Sequence, residues 1–218
     1  MAGAEALGPE PSTVQGEVAP HIAAEFPGLG IAWTEAECRR DHSPEPVRRR
    51  LRDLSDRFYG AHAIHMRERP IPWAYRVFFR QIGLDPDRTR TPIEQLALDR
   101  LHDGAFSSRG MPADAITIAT VETGVALRAF DAERIDGELC IRDSAPGESL
   151  PGRPGELVQG TLTVADAGGP LTLLFGGEHG AAIESLPARV VLVAVQVKGV
   201  PQAAVDEALW IASAAISA

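Results

Sequence analysis

The chain has 218 residues, 44% of them apolar and only 6% aromatic, with a formal net charge of −9. That length suits one domain with an ordinary buried core, and the charged fraction of 23% argues against a wholly disordered chain. No stretch approaches 18 uninterrupted apolar residues, which excludes a membrane-spanning helix.

Residues 1–20 are rich in Gly, Pro, Ala and Glu with few large apolar groups, and they predict a disordered N-terminal tail. They carry acids and no base, which fits neither a signal nor a transit peptide. Residues 21–218 then form the expected single domain. His21 to Trp33 reads as a short helix, the turn Pro27-Gly28-Leu29-Gly30, and the start of a strand. From Pro46 to Tyr59, Val47, Leu51, Leu54 and Phe58 recur at helical spacing. Pro70-Ile71-Pro72 predicts an extended approach to a second helix, Trp73 to Ile82, ended by Gly83. Thr91-Pro92-Ile93-Glu94 has the capping-box pattern with Pro at the first helical position.

After Gly110 the texture changes to short apolar runs punctuated by Gly, Pro and Asp. Ala115–Val121, Leu139–Arg142, Leu157–Ala165, Leu171–Phe175 and Val190–Val197 all read as strands of a sheet or sandwich. Pro201 to Ile216 closes the chain as a helix with Val205, Leu209, Ala212 and Ile216 on one face. Helices first, strands after and a closing helix predict an α+β fold.

Charge is segregated. Residues 39–90 hold thirteen Arg against seven acids, whereas the remaining segments are strongly acidic. A basic stripe is what a nucleic-acid surface needs, so a tRNA partner would meet this segment. The plainer alternative is a solvated helix in which Asp53 and Asp56 neutralise neighbouring Arg.

Catalytic patterns are sparse. There is no phosphate-cradling Gly-rich loop, no nucleophile elbow and no zinc helix, and no metal or cofactor is implied. His62 and His65 lack a nearby ligand to complete a metal site. Cys38 and Cys140 match no redox or metal spacing, so a reducing, cytoplasmic setting is expected. The most distinctive segment is Phe175-Gly176-Gly177-Glu178-His179-Gly180. Its glycines permit close backbone approach to a ligand, and Glu beside His offers acid–base chemistry near neutral pH. A hairpin tip carrying polar residues explains the same letters.

Several motifs, taken in order, carry a resemblance. They are Phe26-Pro27-Gly28-Leu29, Trp73-Ala74-Tyr75-Arg76-Val77-Phe78, Gly83-Leu84-Asp85-Pro86 and Thr91-Pro92-Ile93-Glu94-Gln95-Leu96. Ala126-Leu127-Arg128-Ala129-Phe130-Asp131, Ile141-Arg142 with Pro146-Gly147-Glu148, Asp166 with Gly169-Pro170, and Gly176-Gly177 complete the series. Together they resemble the B3/B4 domain, the editing module of the phenylalanyl-tRNA synthetase beta chain, and its free-standing bacterial relatives. The resemblance implies a β-sandwich of unusual topology flanked by helices. It also implies hydrolysis of an aminoacyl ester on mischarged tRNA, the synthetase domain acting on tyrosine esterified to phenylalanine tRNA.

The chain departs from that pattern in the pocket. Arg128 stands where the family motif has His, and the family's Thr-Asn pair falls on Ile116 and Thr117. The family's recognition Glu falls on Ala181, with Glu178 as a substitute from the same loop. The Trp- and Arg-rich segment usual in free-standing relatives is replaced by Leu171–Phe175. The expected site therefore has Arg128, Glu178 and His179 in catalytic positions, with Thr117, Glu122, Gly176 and Gly177 against the substrate. The rebuilt pocket and the acidic balance also fit a second reading. In that reading the same fold condenses or cyclises a free amino acid or related metabolite, or binds it without chemistry.

Overall fold

The computed structural model describes residues 10–38, 41–58, 60, 65–176 and 187–218. Among these residues the fold is α+β, with two four-stranded sheets and helices packed around them. The first sheet runs β1 (Val14–Gln15), β3 (Gly30–Glu37), β8 (Arg189–Gln196) and β4 (Ala126–Asp131), with every neighbour antiparallel. The second runs β2 (Glu17–Val18), β5 (Cys140–Asp143), β6 (Leu162–Asp166) and β7 (Gly169–Leu173), with only the β2–β5 pair parallel. The sheets meet along β2, β3 and β5. β8 lies in the interior of its sheet and is buried from Val190 to Val195, which explains its unbroken run of Val, Leu and Ala.

The disordered tail expected for residues 1–20 is corrected for its second half, residues 1–9 lying outside the described residues. β1 and β2 lie within it, one in each sheet, and the chain crosses between the sheets at Gly16. The Gly16 N–H donates to the Ile31 carbonyl at 2.8 Å. A Cβ at Gly16 would overlap the Leu139 carbonyl oxygen and come within 2.7 Å of Ile31 Cγ2 and Trp33 Cζ3. Local composition missed these strands because their partners are distant: Val14 pairs with Trp33 and Glu17 with Cys140. Gly16→Ala is expected to cost about 2–3 kcal/mol, since a backbone oxygen cannot move aside as a side chain can. Chemical denaturation of the variant checks this, and an unchanged midpoint would contradict it.

The α-helices bounded among the described residues include α1 (Pro20–Glu25), α2 (Glu45–Arg57), α3 (Pro70–Gln81), α4 (Pro92–Asp103), α5 (Ala113–Thr123) and α6 (Gln202–Ser217). Two sequence expectations change. Pro70 and Pro72 lie inside the first turn of α3, where the missing N–H groups have no intrahelical partner anyway. The extended residue is Arg69, immediately before the proline. Ala115–Val121 is the body of α5, a helix and not a strand. Its β-branched content suggested a strand, but α5 packs against α2, α4, α6 and β4 and is buried almost all round, which removes the amphipathic signal. No strand is read from the sequence at Ala126–Asp131, where β4 supplies an edge of the first sheet.

At α4 the capping box forms as expected. Glu94 Oε2 accepts from the Thr91 N–H at 3.2 Å and from the Thr91 hydroxyl at 2.8 Å. No helix among the described residues is long and apolar enough to cross a membrane.

Candidate functional site

A cavity of about 660 Å³ opens between α4, α5 and the end of the first sheet. Ile116, Thr117 and Thr120 on α5 form one wall; Gln95, Leu96 and Asp99 on α4 form another. Ala126, Leu127 and Arg128 of β4, with Val195 of β8 and Phe79 of α3, form the base. Phe175 and Gly176, just after β7, close one side.

Each wall is held by a polar tie. The buried Arg76 of α3 donates to Glu94 Oε1 at 2.5 Å and to Asp87 Oδ1 at 2.7 Å, fixing the start of α4. Burial pulls the Arg76 pKa down, but its hydrogen bonds and attraction to Asp87 and Glu94 outweigh that and leave it raised. Tyr75 of α3 donates its hydroxyl to the Val195 carbonyl at 2.6 Å and accepts from the Ala126 N–H at 3.0 Å. The phenol thus bridges β4 and β8 beneath the cavity, and burial raises its pKa well above the ordinary value. At the rim, Asp114 in the first turn of α5 accepts from Ser43 Oγ at 2.6 Å, Ser108 Oγ at 2.5 Å and the Arg109 N–H at 2.8 Å. This knot fastens the segment that carries Arg109.

Arg128 projects from β4 toward the β7 end. One guanidinium nitrogen donates to Thr172 Oγ1 at 3.0 Å and to the Leu173 carbonyl; the other donates to the Leu174 carbonyl at 2.9 Å. Its guanidinium also lies 6.0 Å from the centre of the Phe175 ring. Burial lowers its pKa to about 10, so it stays charged at neutral pH. No carboxylate pairs with it among the described residues. Its hydrogen bonds latch the segment leading to Gly176, which has φ of +74° and is exposed at the cavity.

The three threonines of α5 behave differently. Thr117 Oγ1 donates to the Ala113 carbonyl at 2.9 Å and accepts from Arg109 at 3.1 Å. Thr123 Oγ1 donates to the Ala119 carbonyl at 2.7 Å. The buried Thr120 hydroxyl has no hydrogen-bond partner among the described residues, and Thr120 lines the cavity. Leaving a buried hydroxyl unpaired costs about 1–3 kcal/mol.

The cavity is cationic inside an acidic chain. Arg88, Arg90, Arg109 and Arg128 line it against the single carboxylate of Asp99, counting the described residues. Asp99 already accepts from Gln95 at 2.7 Å. Arg88 and Arg90 have acid neighbours outside the cavity lining, Asp85 at 3.7 Å and Asp87 at 3.5 Å.

Of the residues expected from sequence, Thr117, Arg128 and Gly176 come together at this cavity. Glu122 does not. It sits on α5, outside the lining, and receives two hydrogen bonds from Arg50, at 2.8 and 2.5 Å. Its expected place against the substrate went with the reading of Ala115–Val121 as a strand, whereas Glu122 lies on the helix α5. Gly177, Glu178, His179 and Ala181 lie outside the described residues, as does His62. His65 is exposed, 3.5 Å from Glu68. Three of the five arginines of α2 are paired with acids, though not with Asp53 and Asp56 as anticipated. Arg48 and Arg52 pair with Glu45 at 3.1 and 2.6 Å, and Arg50 with Glu122. Arg109 and Thr120 were not singled out from the sequence; the Thr117-Thr120-Thr123 spacing is intelligible as one helical face only once α5 is a helix.

No model of a known protein family matches the chain. Among curated proteins it is 33% identical over 125 residues to the phenylalanine–tRNA ligase beta subunit of Tropheryma whipplei, covering 55% of this chain and 12% of that protein. To the same subunit of Xanthomonas oryzae pv. oryzae it is 33% identical over 100 residues, 44% of this chain and 12% of the relative. For Yersinia pestis the figures are 37% over 71 residues, 30% of this chain and 9% of the relative. The chain thus spans about an eighth of the length of the first two relatives, and the resemblance stated from its motifs holds: it is similar to a stretch of the beta subunit of a tRNA synthetase.

Proposed function

We propose that the chain hydrolyses an aminoacyl ester, with mischarged tRNA as the substrate acted on in trans. The observation that carries this is a cavity lined, among the described residues, by four arginines and one acid, in a chain of net charge −9 that is similar to part of a tRNA synthetase. A site for tRNA's acceptor end needs positive charge for the terminal phosphates and donors for the ester. In the reaction, water oxygen adds to the ester carbonyl carbon, and the resulting oxyanion collapses. The bond to the ribose oxygen breaks, and that oxygen takes up a proton. Arg128 supplies positive charge and, through its bonds to Leu173 and Leu174, holds the segment that leads to Gly176, whose backbone N–H is offered to the oxyanion. Thr117 contacts the aminoacyl group. Glu178 and His179, next in the same segment, are assigned to positioning the water and taking its proton.

The ion pairs on three of the five arginines of α2 favour one alternative. With Arg48, Arg50 and Arg52 paired to acids, that helix offers less of a phosphate-binding stripe than residues 39–90 suggest by count. In this second reading the cavity takes a free amino acid or related metabolite, for condensation, cyclisation or simple binding. Incubating the purified chain with a panel of correctly and incorrectly charged tRNAs separates the two. The hydrolase reading expects release of amino acid from at least one mischarged species, weakening steeply as salt rises. No release from any member of the panel would overturn it.

A further inference from the structure

We propose that Arg109 and Thr120 form an oxyanion-binding subsite in this cavity, which takes one carboxylate or phosphate group of the ligand. The inference rests on the cavity being the ligand site, as proposed above, and goes further by stating the chemical group that site must read.

Thr120 is the starting point. Its neighbours on the same helix, one turn before and one turn after, satisfy their hydroxyls by donating to the carbonyl four residues back. That solution is open to any helical threonine, because one of its two common side-chain rotamers points the hydroxyl at that carbonyl. Thr120 does not take it, and its hydroxyl stays buried and unpartnered among the described residues, on a residue that lines the cavity. The missing partner is therefore a group that enters from the cavity.

Arg109 limits what that group can be. Thr117 and Thr120 are three residues apart, so their side chains are neighbours on one helical face. One Arg109 terminal nitrogen is hydrogen-bonded to Thr117 Oγ1 at 3.1 Å, which sets the guanidinium one turn from Thr120. The Asp114 knot fixes the backbone behind it. No carboxylate pairs with the Arg109 side chain among the described residues, and a guanidinium can only donate. A ligand group serving both must accept two or more hydrogen bonds at once and carry negative charge. Carboxylate and phosphate do this; an ammonium, an aliphatic chain or a lone hydroxyl does not. Either could be supplied by a nucleotide end or by a free acid, so the test uses one probe pair for each.

Binding is measured calorimetrically for phenyl phosphate against phenol and for N-acetylphenylalanine against its amide. Wild type is compared with Thr120→Val, Thr120→Ser and Arg109→Gln. The subsite requires at least one anion to bind about tenfold more tightly than its uncharged partner, an advantage reduced about fivefold or more in Thr120→Val and Arg109→Gln and kept in Thr120→Ser. Thr120→Val should also melt at a higher temperature than wild type, since it replaces an unpaired buried hydroxyl by a methyl of the same shape. A merely structural threonine would move the melting temperature down and leave affinity alone. Equal binding of charged and uncharged probes, or no binding of either anion, would overturn the subsite. Anion binding without ester hydrolysis would sink the hydrolase reading and leave the subsite standing; hydrolysis indifferent to both substitutions would do the reverse.

Discussion

Replacing Arg76 by Leu is expected to cost the fold about 3–5 kcal/mol, because it strands a buried carboxylate. The Glu94 side chain is only 9% exposed, and Arg76 itself 4%. Glu94 uses one oxygen for Arg76 and the other for the N-terminal cap of α4, so it cannot swing out to water when its partner is removed. For a domain of this size the loss corresponds to a fall in melting temperature on the order of 10 °C. Adding Glu94→Gln to the Leu variant should recover part of it, since the amide keeps the cap geometry and carries no charge. A change within 1 kcal/mol, as for an exposed ion pair, would contradict the account, and the double-mutant cycle measures the coupling directly. Because α4 forms one wall of the cavity, the same variant should also weaken ligand binding.

Arg128→Met is expected to lower ester hydrolysis about 100-fold while leaving the domain folded. Its guanidinium is the latch on the Thr172–Leu174 segment and the cavity's deepest positive charge. A methionine fills similar space but offers no donors to three oxygens. Arg128→Lys should fall close to the methionine variant, because an ammonium lacks the planar fork that reaches Leu173 and Leu174 together. Steady-state rates on a mischarged tRNA, with amide exchange at Leu174 to Gly176, test both parts. Full activity in Arg128→Met would remove it from the site. Loss of activity with unchanged exchange would mean that its charge matters and the latch does not.

Elements governed by local rules were legible in the sequence. The α4 capping box needs four adjacent residues, and the final helix needs one apolar face; both were evident from the letters alone. Elements governed by distant partners were not. Val14 to Val18 becomes two strands only because β3 and β5 stand on either side of Gly16. α5 carries β-branched residues and is enclosed by three helices and a strand, so neither propensity nor periodicity identified it. The site followed the same division. Arg128, Thr117 and Gly176 stood out through the motifs and do converge, whereas Glu122 was lost once its element became a helix turned toward Arg50. Arg109 and Thr120 needed coordinates, since an unpaired hydroxyl is a property of its surroundings and not of its sequence.

The central claim is that the cavity between α4, α5 and β4 is where ligand binds. The most direct measurement is amide chemical-shift mapping of the labelled chain, titrated separately with total tRNA and with a mixture of amino acids and keto acids. The account predicts shifts concentrated at Thr117, Thr120, Arg128 and Gly176, with the tRNA response weakening as salt rises. Shifts confined to surfaces away from these residues, or none with either pool, would contradict it.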